Sequence, residues 1–172
     1  MTKEPDPRPE EINVIDIAHS LANQCRYAGH CREFYSVAQH SVIVSRIVPL
    51  EFQLWGLLHD AAEAYLVDLP RPLKRFSAIG DAYRVVERRL MLAVCERFGL
   101  ENDEPWCVHV ADDVALMTEK RDLMPGLWKW RETAQPLVET IKPQSPAEAE
   151  GEFLGRAGEL GIQWHYAAMG QK

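Results

Sequence analysis

Apolar residues recur at helical spacing along most of this chain. From Ile12 to Cys25, the residues Val14, Ile17, Leu21 and Cys25 stand three or four apart, which predicts a short amphipathic helix ending near RYAGH, where Gly29 lets the chain turn. Ser36 and Gln39 make an S-x-x-Q capping box, so a second helix is predicted from Val37 through SVIVSRIV to a stop at Pro49. A third spans Phe52 to Leu66. The Pro70 and Pro72 pair then predicts an extended turn, because a residue before proline avoids helical geometry. A long helix follows from Ile79 to Phe98, with Tyr83, Val86, Leu90, Val94 and Phe98 on one stripe and Gly99 as its cap. The next, from Pro105 to Leu123, turns Val108, Ala111, Val114 or Ala115, and Thr118 inward. Between Pro125 and Pro143 there is no clean period, and Trp128 and Trp130 predict an ordered loop packed on the core. Ser145, Pro146 and Glu148 open a last helix that ends near Gly161. No segment alternates as a strand would, so the predicted fold class is all-α.

At 172 residues the chain suits one core, expected to span 12–172 behind a loose, charged and Pro-rich arm at 1–11. No apolar run approaches the roughly 20 residues that a membrane span needs. The opening MTKEPDPRPEE has no apolar segment ahead of a cleavage site, so no signal peptide is expected. Cys25, Cys31, Cys95 and Cys107 lack CxxC spacing and lie in or near apolar segments, as reduced thiols of a cytoplasmic protein do. A formal charge of -7 argues against binding long nucleic acid. It leaves room for a small nucleotide, since RPLKR at 71–75 is a local cluster able to hold one phosphate group.

The anomaly lies in the third helix. His59, Asp60 and Glu63 interrupt the apolar run WGLLHDAAEAY, and residues of these types avoid a core unless paired or bound to a metal. On one helix they occupy neighbouring positions of one face. That is half of a divalent-metal site, and imidazole with carboxylate suits zinc, manganese, iron, cobalt or nickel. Two residues elsewhere are candidates to complete it. His40 stands at a helix start in an apolar stretch, and Asp112 stands beside the inward Val108 and Ala111, whereas Asp113 points about 100° away.

The ordered set of His40 in SVAQHS, His59-Asp60 in LLHDAAEAY, Asp68-Leu69-Pro70, and Asp112 in VADDVAL resembles the HD-domain metal-dependent phosphohydrolases. Within them it is similar to the small bacterial and phage members related to 5'-deoxynucleotidases, over about Ile12 to Leu123. The resemblance implies His40, His59, Asp60 and Asp112 as ligands of a divalent ion, whether cobalt, manganese, zinc, nickel, iron or magnesium. It implies Glu63 as the catalytic carboxylate, Asp68 as an acidic residue of the pocket wall and Arg26 as a phosphate contact. Tyr27 departs from the pattern, standing where those enzymes have a tryptophan that packs on the sugar and disfavours a 2'-hydroxyl. Lys74 or Lys120 would add positive charge beside Arg26.

The implied activity is cleavage of the 5'-phosphate ester of a (deoxy)nucleotide by a metal-activated water. It would be that of a 5'-deoxynucleotidase or of a dNTP triphosphohydrolase, like the dATP-directed phage proteins. The alternative is a non-catalytic nucleotide-binding or metal-binding module, whose mark would be a missing ligand or a replaced carboxylate. Glu119, Arg121 and Asp122 in TEKRDL read as a charge network supporting the site. His19, His30, His109 and His165 read as surface or supporting residues, with His30 close to Arg26. The expected partners are a small nucleotide and further copies of the chain in a homo-oligomer, with no long nucleic acid and no membrane.

Overall fold

Asn13 starts the first helix: its side-chain oxygen accepts from the Ile15 amide at 2.9 Å, and α1 runs Val14–Asn23. Its buried face is Val14, Ile17, Ala18, Leu21 and Ala22, the spacing of an amphipathic helix. It stops two residues before Cys25. The computed structural model describes residues 7–126 and 131–164. Trp128, Trp130, His165 and the first part of the predicted arm lie outside the described residues. Within that arm, Pro9–Glu11 forms a 3-10 turn.

Seven further helices follow among the described residues: α2 (Val37–Ile47), α3 (Gln53–Leu58), α4 (Glu63–Leu66), α5 (Arg71–Phe76), α6 (Ala78–Phe98), α7 (Trp106–Leu123) and α8 (Pro146–Glu159). These residues contain no strand, only an isolated antiparallel bridge between Cys25 and Ser36, and the fold class is all-α. No helix among them is long and apolar enough to cross a membrane.

Three predicted elements differ in detail. The Ser36 hydroxyl accepts from the Gln39 amide as predicted, but the Gln39 side chain reaches out to the Lys142 carbonyl and the Gln144 amide instead of closing the box. The single helix predicted from Phe52 to Leu66 is two, α3 and α4, separated by a tighter turn. The prolines at 70 and 72 open α5 instead of an extended turn, because a proline in the first helical turn has no amide to waste and its φ already suits a helix.

Helix α2 lies between two apolar clusters. On one side Val37, Ala38 and Val42 pack with Ile17 and Leu21 of α1, Leu57 and Leu58 of α3, and Phe153 and Leu154 of α8. On the other, Val44 and Val48 pack with Trp55, Cys95, Val108, Ala111 and Ala115. Ala115, and not Val114, is the inward residue of α7. Leu57 and Leu58 are fully buried, each stabilising the fold by about 1.5–3 kcal/mol. They anchor the two polar residues that follow them. Of the predicted stripe of α6, Val94 is buried between Ala93 and Cys95, and Tyr83, Leu90 and Phe98 are half-buried. Ile79 and Val86 in the first half are exposed, where α6 packs against α5, with Gly80 close to the Leu73 and Lys74 carbonyls.

Candidate metal centre

Helices α2 and α3 approach closely because position 56 is glycine: a Cβ there would lie 3.0 Å from both Ser45 Cα and Val48 Cγ2. That approach sets His40, in the first turn of α2, against His59, at the end of α3. Their Nε2 atoms are 3.3 Å apart. Beyond Leu58 the chain tightens, with the Ala61 amide donating to the Leu58 carbonyl and the Glu63 amide to the Asp60 carbonyl. These are the i to i-3 bonds of a 3-10 turn, which brings positions 60 and 63 into line more closely than an α-helix would.

Asp60 Oδ2 lies 3.2 Å from His59 Nε2 and 3.8 Å from His40 Nε2. Helix α7 adds Asp112, whose Oδ1 is 3.3 Å from His40 Nε2. His40, His59 and Asp60 offer three donor atoms within 4.8 Å of one another.

The far nitrogens decide what this cluster can hold. His59 Nδ1 donates to the Gly56 carbonyl at 2.9 Å, because a carbonyl only accepts. His40 Nδ1 lies 2.6 Å from Glu119 Oε1, which fixes its proton on the same side. With both rings neutral, each would turn an Nε2 lone pair toward the other, and such lone pairs repel unless a cation or proton lies between them. A metal-ligating histidine is held in this way, with one N–H on an acceptor and the other nitrogen offered. His40, His59 and Asp60 form a group that could hold a metal ion, and Asp112 stands beside it.

Charges around the cluster are strongly perturbed. Burial alone would lower the His59 imidazole, but the Asp60 carboxylate overrides it and lifts His59 to about 9. Burial also opposes ionisation of Asp60 and Asp112, yet His59 holds Asp60, and His40 holds Asp112, well below the usual carboxylate range. Glu119 is fully buried and is held down to about 2, since Arg26 and His40 outweigh its desolvation. Glu63 goes the other way. Burial, then the nearby Asp60 and Asp68 carboxylates, push it well above the ordinary range.

The residues expected at substrate surround this cluster. Arg26 places Nη1 3.6 Å from Asp60 Oδ2 and Nη2 3.3 Å from Glu119 Oε2, while its buried Nε has no hydrogen-bond partner among the described residues. The Tyr27 ring stands 5.2 Å from the Arg26 guanidinium, and its hydroxyl donates to Glu119. Glu63 Oε1 lies 3.7 Å from Lys74 Nζ, and its buried Oε2 likewise has no partner among the described residues. Lys74 pairs also with Glu87. Asp68 donates its amide to Gln24 Oε1, and Gln24 Nε2 in turn donates to the Glu63 carbonyl, so one glutamine ties the turn after α4 to the end of α1. His30 is exposed.

The TEKRDL charges divide. Glu119 faces the cluster, whereas Arg121 and Asp122 hold the loop after α7 through the Glu139 carbonyl and the Ile141 amide. Tyr35 and Gln24 carry no sequence signal of a role. Tyr35 is an aromatic residue just before a helix cap, and only the fold brings its hydroxyl 2.8 Å from Glu119 Oε1.

The fold and this cluster define an all-α protein whose His-His-Asp group could hold a metal ion, an arrangement consistent with an HD-type fold. No family model matches the chain. The uncharacterized protein YfdR of Escherichia coli (strain K12) is 42% identical over 158 residues, which cover 88% of this chain and 85% of YfdR. The chain belongs to the family of YfdR. The uncharacterized protein RCAP_rcc00048 of Rhodobacter capsulatus is 40% identical over 104 residues, covering 55% of this chain and 52% of that protein.

Proposed function

We propose that this protein is a divalent-metal-dependent phosphohydrolase of the HD type that cleaves the 5'-phosphate ester of a (deoxy)nucleotide, as a 5'-deoxynucleotidase or a dNTP triphosphohydrolase. The observation that carries this reading is the pair of Nε2 atoms, His40 and His59, facing each other at 3.3 Å beside two carboxylates. When bound there, a divalent ion supplies Lewis acidity, drawing charge from a phosphoryl oxygen and acidifying water.

The chain's own groups supply the rest. Glu63 is a buried carboxyl with a raised pKa, next to the cluster, and its Oε2 has no partner among the described residues. It takes a proton from the attacking water and returns one to the leaving 5'-oxygen as the bond from phosphorus to that oxygen breaks. Arg26 Nε is a buried donor with no acceptor among the described residues, and a phosphate oxygen supplies one. Lys74, held near Glu63 by its ion pairs, adds charge that offsets what develops on the non-bridging oxygens.

The test is release of phosphate or triphosphate across deoxy- and ribonucleotide mono- and triphosphates, with manganese or cobalt added and then chelated. Hydrolysis that needs the metal and disappears in Asp60→Ala is expected. Activity that survives chelation, or survives Asp60→Ala with metal restored, refutes the reading.

A further inference from the structure

We infer that Glu119 is the positioning residue of this centre, a single buried carboxylate whose two oxygens hold the metal ligand His40 and the cation Arg26 together. Oε1 accepts from His40 Nδ1 at 2.6 Å and from the Tyr35 hydroxyl at 2.8 Å. Oε2 accepts from Arg26 Nη2 at 3.3 Å and from the Tyr27 hydroxyl. Four donors match the roughly four lone-pair sites of a carboxylate, which leaves the group one orientation.

Helix α7 straddles a single imidazole. Asp112 and Glu119 are two turns apart on α7, and Asp112 Oδ1 meets His40 Nε2 at 3.3 Å while Glu119 meets Nδ1 on the other side of the ring. Glu119 therefore sets both the tautomer and the tilt of His40, and this tautomer is the one that offers Nε2.

The same carboxylate fixes the RYAG turn. Tyr27 and Ala28 have φ of 56° and 50°, a left-handed conformation that costs a residue with a side chain on the order of 1–3 kcal/mol. The turn is held by the two bonds to Glu119 and by the Arg26 amide, which donates to the Tyr35 carbonyl at 2.9 Å. The metal half of this inference stands on the geometry, and only the purpose of holding Arg26 rests on the function proposed above.

Glu119→Gln keeps the shape but has one acceptor oxygen where four donors converge. Calorimetric titration with manganese, scored on the fraction that circular dichroism reports as folded, is expected to give 10–100-fold weaker binding than wild type. Wild-type affinity in folded Glu119→Gln overturns the inference. Should that variant fail to fold, the wild-type protein decides: long-range proton–nitrogen spectra of the zinc-loaded form are expected to show His40 protonated at Nδ1. A proton at Nε2 overturns the inference. Nucleotide hydrolysis enters neither readout, so an inactive protein with this tautomer would refute the phosphohydrolase and leave Glu119 in its role.

Discussion

Gly56→Ala tests whether helix packing sets the spacing of the two histidines. Inside a helix the change from glycine to alanine alone stabilises by about 1 kcal/mol. Here the new Cβ would sit 3.0 Å from Ser45 Cα, a backbone atom, and 3.0 Å from Val48 Cγ2, where ordinary contact begins near 3.4 Å. A backbone atom cannot step aside as a side-chain tip does, so α2 and α3 must separate by several tenths of an ångström. Overpacking of this kind costs about 1–3 kcal/mol, which offsets the propensity gain and leaves a net loss of up to about 2 kcal/mol. For a chain of this size that is a fall in Tm of up to about 8 °C.

Gly155→Ala in α8 is the control, because a Cβ there meets nothing within 4 Å. It should raise Tm slightly. The same separation in Gly56→Ala moves His40 away from His59, so manganese affinity by calorimetry should fall with Tm, while Gly155→Ala leaves it unchanged. Equal Tm and equal affinity in wild type and Gly56→Ala would refute the claim that this glycine brings the ligands together.

Other outcomes follow from the buried charges. Glu119 titrates at about 2 in the fold against an ordinary 4.5, so it contributes about 3 kcal/mol above pH 4.5 that is lost as pH falls toward 2. Urea unfolding from pH 6 to pH 2 should show that loss in wild type and a flatter profile in Glu119→Gln. His59 is raised from 6.5 to about 9, so in the metal-free protein its contribution is full below pH 6.5 and is lost as pH rises through 9. Metal binding needs the neutral ring, so affinity should climb about tenfold per pH unit between 7 and 9, and a flat profile would count against His59 as a ligand. Glu63 is raised, meaning that its ionised form costs stability at neutral pH. Glu63→Gln should therefore raise Tm at pH 7 while slowing the proposed hydrolysis by about 10²–10⁴-fold, and an unchanged rate would remove Glu63 from proton transfer.

The helices were legible where a local signal marks them. Val14, Ile17 and Leu21 keep a helical period, Ser145 and Glu148 form the capping box that opens α8, and Gly99 ends α6 in a left-handed conformation. The break between α3 and α4 was not, because His59 to Ala62 fit an α-helix locally and the 3-10 hydrogen bonds are a matter of tertiary fit. Proline at 72 reads as a breaker until one knows that it stands in a first helical turn.

Within the cluster, His40, His59, Asp60 and Asp112 stood out as polar residues among apolar neighbours. Glu119 was legible only as part of a charged run, since TEKRDL does not tell which charge turns inward. Tyr35, Gln24 and Gly56 act through partners 84, 39 and 44, and 11 positions away, and no periodicity encodes such pairings.

Anomalous diffraction from crystals grown with manganese tests the central claim most directly. A peak is expected between His40 Nε2 and His59 Nε2, with Asp60 and Asp112 oxygens in its coordination shell. A peak elsewhere on the chain, or ligation through Nδ1 of either histidine, would contradict it.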